Sequence, residues 1–139
     1  MKILRSILTA SAVVSLFVAP AMAKTVQLFG QLTGEHNATS QPSGMIRATL
    51  NTNTNILRYH IRWNGLSGPV VAAHFHGPAT ETQDADVLVP ISGPYKSPLS
   101  GAVTLNNQQV GQVQAGQVYV NLHTQRYPNG EARAQLTER

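Results

Sequence analysis

The sequence predicts an all-β fold, a sandwich or barrel of about eight strands with at most one short helix. Three observations carry that expectation. Apolar and polar residues alternate with period two through most of residues 24–139, Gly, Asn and Pro interrupt the alternation at short intervals, and no long helical pattern occurs.

Thr25 to Leu32 and Met45 to Leu50 read as the first two strands, with 51–54 as the turn into the third. From Asn55 to Asn64, Leu57, Tyr59, Ile61 and Trp63 alternate with Arg58, His60 and Arg62, giving one core face and one wet face. Val70 to His76, Asp86 to Ile91, Ala102 to Leu105, Val118 to Thr124 and Glu131 to Leu136 complete the set. Asn106 to Ala115 holds the one plausible helical turn or two, stopped by Gly116. Residues 77–85 and 92–101 read as loops.

The N-terminus has its own logic. Lys2 and Arg5 precede an uncharged, mostly apolar run from Ser6 to Pro20, which closes on Ala21, Met22 and Ala23. That order is the pattern of a secretory signal peptide over residues 1–23, cleaved before Lys24, so a periplasmic or secreted location is expected. The apolar run is short for a bilayer core of about 30 Å, and no second stretch approaches the roughly 20 residues a spanning helix needs, so no stable membrane insertion is expected. Residues 24–139 then form one domain. Cysteine is absent, which excludes disulfides and thiolate chemistry.

Lys2 and Arg5 supply half of the formal charge of +4, leaving eight Lys and Arg against six Asp and Glu. Those charges are scattered along the chain without a basic stripe, which argues against a nucleic-acid partner. No Gly-x-Ser-x-Gly elbow, phosphate-cradling loop or obvious carboxylate pair points to hydrolysis.

Histidine carries the chemistry that remains. His74 and His76 lie two apart on one strand, so they share a face with Cα atoms about 6.5 to 7 Å apart, a spacing two ligands of one ion can use. On the strand from Val118, the residues Val118, Val120 and Leu122 form the core set, which turns Tyr119, Asn121 and His123 to the other side. Ala132, Ala134 and Leu136 likewise turn Glu131, Arg133 and Gln135 outward, and Val71, Ala73 and Phe75 are the inward set on the histidine strand. Three histidines and Arg133 therefore share the non-core side if these strands are neighbours. An all-imidazole set without carboxylate or thiolate favours copper.

Other positions are weaker candidates. His36, in a loop, could fold over the site as a fourth ligand, and Met45 could serve copper(I). His60 lies between Arg58 and Arg62, where a cation is repelled. Asp84 and Asp86 follow the His-x-His and could orient an imidazole or stay solvated. Tyr119 and Tyr127 read as framework.

The segments Gly65-Leu66-Ser67-Gly68-Pro69-Val70, Ala73-His74-Phe75-His76-Gly77-Pro78-Ala79, Tyr119-Val120-Asn121-Leu122-His123-Thr124 and Pro128-Asn129-Gly130-Glu131-Ala132-Arg133-Ala134-Gln135-Leu136 together resemble a chordin-type (CHRD) domain of the bacterial exported type. The resemblance implies an extracellular or periplasmic β-sandwich. The family usually has Gly where Ala134 stands and a β-branched residue at Ala132. The order Gly-Leu, His-x-His, Val-x-x-His and Asn-Gly-x-x-Arg is also distantly similar to copper-zinc superoxide dismutases. Both similarities imply a Greek-key β-sandwich of the superoxide-dismutase-like or immunoglobulin-like kind, and the second implies His74, His76 and His123 as copper ligands and Arg133 as the group that attracts an anionic substrate. The further histidines and the aspartate loop of the zinc site are missing, so no zinc site is expected.

Three functions follow as expectations: a periplasmic or secreted copper-binding protein with a surface histidine site used in copper handling, a copper-only superoxide-dismutase-like redox enzyme with Arg133 in a catalytic role, or a metal-free module that binds an envelope or extracellular protein.

Overall fold

The computed structural model describes residues 24–139, so the expected signal peptide lies outside the described residues. Ten strands and one helix follow in the order β1 (Thr25–Gln31), β2 (Thr33–Gly34), β3 (Ser43–Asn51), β4 (Ile56–Asn64), β5 (Val70–His76), β6 (Val87–Ile91), β7 (Leu99–Thr104), α1 (Asn107–Gln114), β8 (Tyr119–Thr124), β9 (Ala132–Gln135) and β10 (Thr137–Glu138). Eight match the expected strands within a few residues. β2 and β10 are two-residue additions too short to leave a periodic trace.

Two antiparallel sheets pack face to face, one in the order β10-β1-β3-β4-β7 and the other β2-β9-β8-β5-β6. The chain touches the second sheet briefly at β2, crosses to it again after β4, returns to pair β7 with β4, and crosses once more so that β8 lies beside β5. These crossings make the sandwich a Greek key. They also set β9, β8 and β5 side by side, the adjacency on which the histidine cluster depends.

Alternation decides which side chains meet between the sheets. Leu57, Tyr59 and Ile61 of β4 join Ile46, Ala48 and Leu50 of β3 against Ala73 and Phe75 of β5 and Val120 and Leu122 of β8, all buried. Tyr59 meets Phe75 edge-on at 5.5 Å, a favoured aromatic geometry. One inward assignment fails: Val71 is 55% exposed and Val70 is buried, because the β5–β8 register shifts between Val70 and Ala72 and returns Ala73 and Phe75 to the core.

The helix begins on a reciprocal cap. The Asn106 side chain accepts from the Gln109 backbone N–H, and the Gln109 side chain accepts from that of Asn106, both at 2.9 Å. Val110 and Val113 bury its apolar side, and Gly116 at φ 70° ends it in the left-handed conformation that glycine adopts without a Cβ clash. Among the described residues, no helix is long and apolar enough to cross a membrane.

Candidate metal centre

His74, His76 and His123 come together on the face of the second sheet turned away from the core. β5 and β8 pair with His74 opposite Asn121, His76 opposite Tyr119 and Ala72 opposite His123, so His123 stands diagonally across from His74. The His74 and His123 ring centroids are 4.8 Å apart, and those of His74 and His76 5.5 Å. One nitrogen from each ring lies within 4.8 Å of the other two.

Hydrogen bonds decide which nitrogens remain for a ligand. His76 donates from Nδ1 to the Ala85 carbonyl at 2.9 Å, and His123 donates from Nδ1 to the Pro128 carbonyl at 2.8 Å. Each bond holds its ring as the tautomer whose Nε2 carries the lone pair. In that tautomer His123 Nε2 accepts from the His74 Nδ1–H at 3.0 Å, a bond an ion would replace once the proton moved to His74 Nε2, while the buried His76 Nε2 has no hydrogen-bond partner. An orphaned buried nitrogen beside two others in contact is a donor set that a cation would satisfy.

The distances fit one ion as well. Two nitrogens bound at about 2.0 to 2.1 Å to a common metal lie roughly 3 Å apart when cis. Burial holds the His74 and His76 pKa values below the usual histidine range, and neighbouring histidines reinforce the effect at both. Their imidazoles are therefore neutral, the form that binds metal.

The site is not the surface site the sequence suggested. His76 is 9% exposed and His123 8%, because loop 77–86 and the loop between β8 and β9 lie against them, their Ala85 and Pro128 carbonyls bonding the two rings. Loop 77–86 is pinned by Arg133, which donates to the Gln83 and Thr80 carbonyls at 2.6 Å each, and by Gln135, which donates to the Ala79 carbonyl at 2.8 Å. Alternation gives the side of the sheet a residue faces; loops from distant sequence decide whether that side is wet.

Tyr119 stands between Arg133 and His76. It stacks on His76 at 5.0 Å with the rings 7° from parallel, and the Arg133 guanidinium lies over it. The tyrosine thus separates the guanidinium from the histidines. Asp84 is 3.7 Å from Arg133 and 3.5 Å from His36, while the next residue, Ala85, receives the His76 hydrogen bond.

His36 groups with Glu35 and Asp84 rather than with the three converging nitrogens. Met45 and His60 lie on the other sheet, where Met45 accepts from Arg62 and His60 bonds Ser100. Tyr127 bonds Thr39 through its hydroxyl.

Two carboxyls near the site were not legible as such. Glu131, expected to point outward, is completely buried and accepts from Ser40 Oγ at 2.6 Å, the Ser67 N–H at 2.6 Å, Ser67 Oγ at 2.8 Å and Thr124 Oγ1. Burial pushes its pKa up, but these four donors together pull it below the ordinary value. Glu35 has the opposite balance. It is 5% exposed, accepts from the Asn121 side chain, and is pushed up to about 7 by burial, against the lowering field of Arg133. Gly130, at φ 123°, leaves the space this pair occupies; a Cβ there would overlap both side chains.

A two-sheet sandwich with a loop-covered cluster of three imidazoles on the outer face of one sheet is the class of protein these observations define. The CHRD domain family matches the chain over residues 28–136, and the chain belongs to that family. No curated protein and no solved structure matches it.

Proposed function

We propose that the protein is an exported copper-binding β-sandwich that handles copper through His74, His76 and His123. One observation carries the reading: one ring nitrogen each of His74, His76 and His123 lies within 4.8 Å of the other two, and Nδ1 hydrogen bonds to backbone carbonyls leave the lone pairs of His76 and His123 on Nε2. Copper is favoured because three neutral imidazoles without thiolate or carboxylate bind it more tightly than the other divalent first-row metals. The metal would supply one-electron chemistry; the protein supplies three placed nitrogens and a cover of loops.

Handling is preferred over superoxide chemistry because of Arg133. Its donors are committed to Gln83, Thr80 and Gln135, and Tyr119 lies between its guanidinium and His76. An arginine so engaged anchors a loop more readily than it attracts an anion to a metal.

The test is a titration of the purified protein with copper(I) and copper(II) beside the His74→Ala, His76→Ala, His123→Ala triple variant, with near-ultraviolet circular dichroism to show that the variant is folded. Stoichiometric binding by the wild type, lost in the folded variant, supports the reading. Absent or equal binding refutes it and favours a metal-free interaction module.

A further inference from the structure

The outer face of the first sheet is rich in exposed basic residues, and at its β1 side Glu81 and Thr82 of loop 77–86 share a cavity with Phe29, Arg47 and Arg139. Arg58, His60 and Arg62 occupy every second position of β4, about 6.7 Å apart, and all three are exposed. Arg47 of β3 lies directly opposite His60, and Arg139 reaches the same face beyond β10. Scattered along the sequence, the basic residues are gathered here by strand pairing, so that four of the eight in residues 24–139 share one surface.

Most acidic residues are placed elsewhere. Glu35, Asp84, Asp86 and Glu131 belong to the loops around the second sheet, Glu138 pairs with Leu28, which faces the core, and Glu81 alone of the described residues borders the basic face, without a salt bridge to any of its arginines. Among the described residues, none of Arg47, Arg58, Arg62 and Arg139 has a carboxylate within salt-bridge distance.

We propose that this face, formed by Arg47, Arg58, Arg62 and Arg139 around Phe29, docks the protein on an anionic lipid bilayer surface. Guanidinium groups match phosphate oxygens with paired donors, and an open sheet presents them together to a flat array of headgroups. Phe29 decides against an extended polymer. Arg47 and Arg139 lie over its ring at 5.9 and 5.1 Å, leaving it poorly placed to stack on bases or sugars, the contact that single-stranded nucleic acids require. The arginines of this surface lie on the first sheet and the histidine cluster on the second, so the proposal does not depend on metal binding.

The experiment measures partitioning of the full chain to vesicles of phosphatidylcholine alone and of an equimolar mixture with phosphatidylglycerol, for the wild type, Arg58→Gln/Arg62→Gln and Lys96→Gln. Residues 1–23 are common to all three proteins, so the comparison isolates the face. At about fivefold per basic residue near an anionic surface, the double variant binds mixed vesicles about 25-fold more weakly and loses nothing on neutral ones. Lys96→Gln, a loop substitution that removes the same kind of charge, retains wild-type binding, and raised salt weakens the wild type on mixed vesicles. Equal binding of mixed vesicles by wild type and double variant overturns the proposal. So does wild-type binding to a soluble single-stranded DNA with no preference for mixed over neutral vesicles.

Discussion

The Arg133 guanidinium carbon lies 3.5 Å from the centroid of the Tyr119 ring. From that position the same side chain reaches two backbone carbonyls of loop 77–86, the loop whose Ala85 carbonyl fixes His76. Arg133 is thus a positioning residue for the cluster, acting through the loop.

Replacing it tests that role. Arg133→Met keeps much of the bulk and removes the donors, so the Thr80 and Gln83 carbonyls lose their charged partner. The expected cost is about 2 to 4 kcal/mol in urea unfolding. Exchange of the Ala85 amide, which donates to the Tyr119 hydroxyl, should accelerate more than exchange in the core of β4. Arg133→Lys should restore only part, because an ammonium lacks the planar fork that serves both carbonyls.

Glu131 ties three separated segments to one buried carboxylate. Its pKa is lower folded than unfolded, so its contribution is present above about 4.5 and is lost as pH falls through the folded value. Glu131→Gln turns a donor toward groups that already donate, and should cost about 2 to 4 kcal/mol at pH 7. The loss should shrink on acidification. A difference between the two proteins that does not vary with pH would contradict the assignment.

Glu35 has the opposite sign. Its folded pKa of about 7 lies above the ordinary 4.5, so the folded state favours the protonated carboxyl; the benefit is full below 4.5 and disappears as pH rises through 7. Glu35→Gln can still accept from Asn121 and removes the buried charge. It should stabilise the protein above pH 7 by on the order of 3 kcal/mol, with little effect at pH 4, as read from the urea midpoint at each pH.

Copper should stabilise the folded protein by mass action, by about 2.7 kcal/mol at one hundred times the dissociation constant. A chelator should reverse the rise in melting temperature, and the triple histidine variant should show none. Acidification should release the ion below pH 6.5, since protonation removes the lone pairs it needs and the His74 and His76 pKa values lie below that point.

The sandwich was legible because alternation is local: Leu57, Tyr59 and Ile61 announce an inward face without reference to the rest of the chain. The helix was legible from Gly116 and a short polar run. The convergence of the histidines rested on two strand faces and one assumed adjacency, which the pairing of β5 with β8 supplies. Burial of the cluster was not legible, because it depends on Arg133 and Gln135 holding a loop 50 to 56 residues earlier. Glu131 misled for the same reason: alternation turned it outward, while its partners Ser40 and Ser67 come from loops with no pattern that points to it. Val71 failed through a shift of one position in the strand, the smallest change that reverses a face.

His74 and His123 are 49 positions apart and meet only through the pairing of β5 with β8. The unfolded chain has a His-x-His pair and a distant third histidine, and nothing that assembles them. Folding is thus a time gate on the three-nitrogen set: the last donor arrives only when the second sheet closes, and an ion captured earlier by the local pair would be held by two rings instead of three.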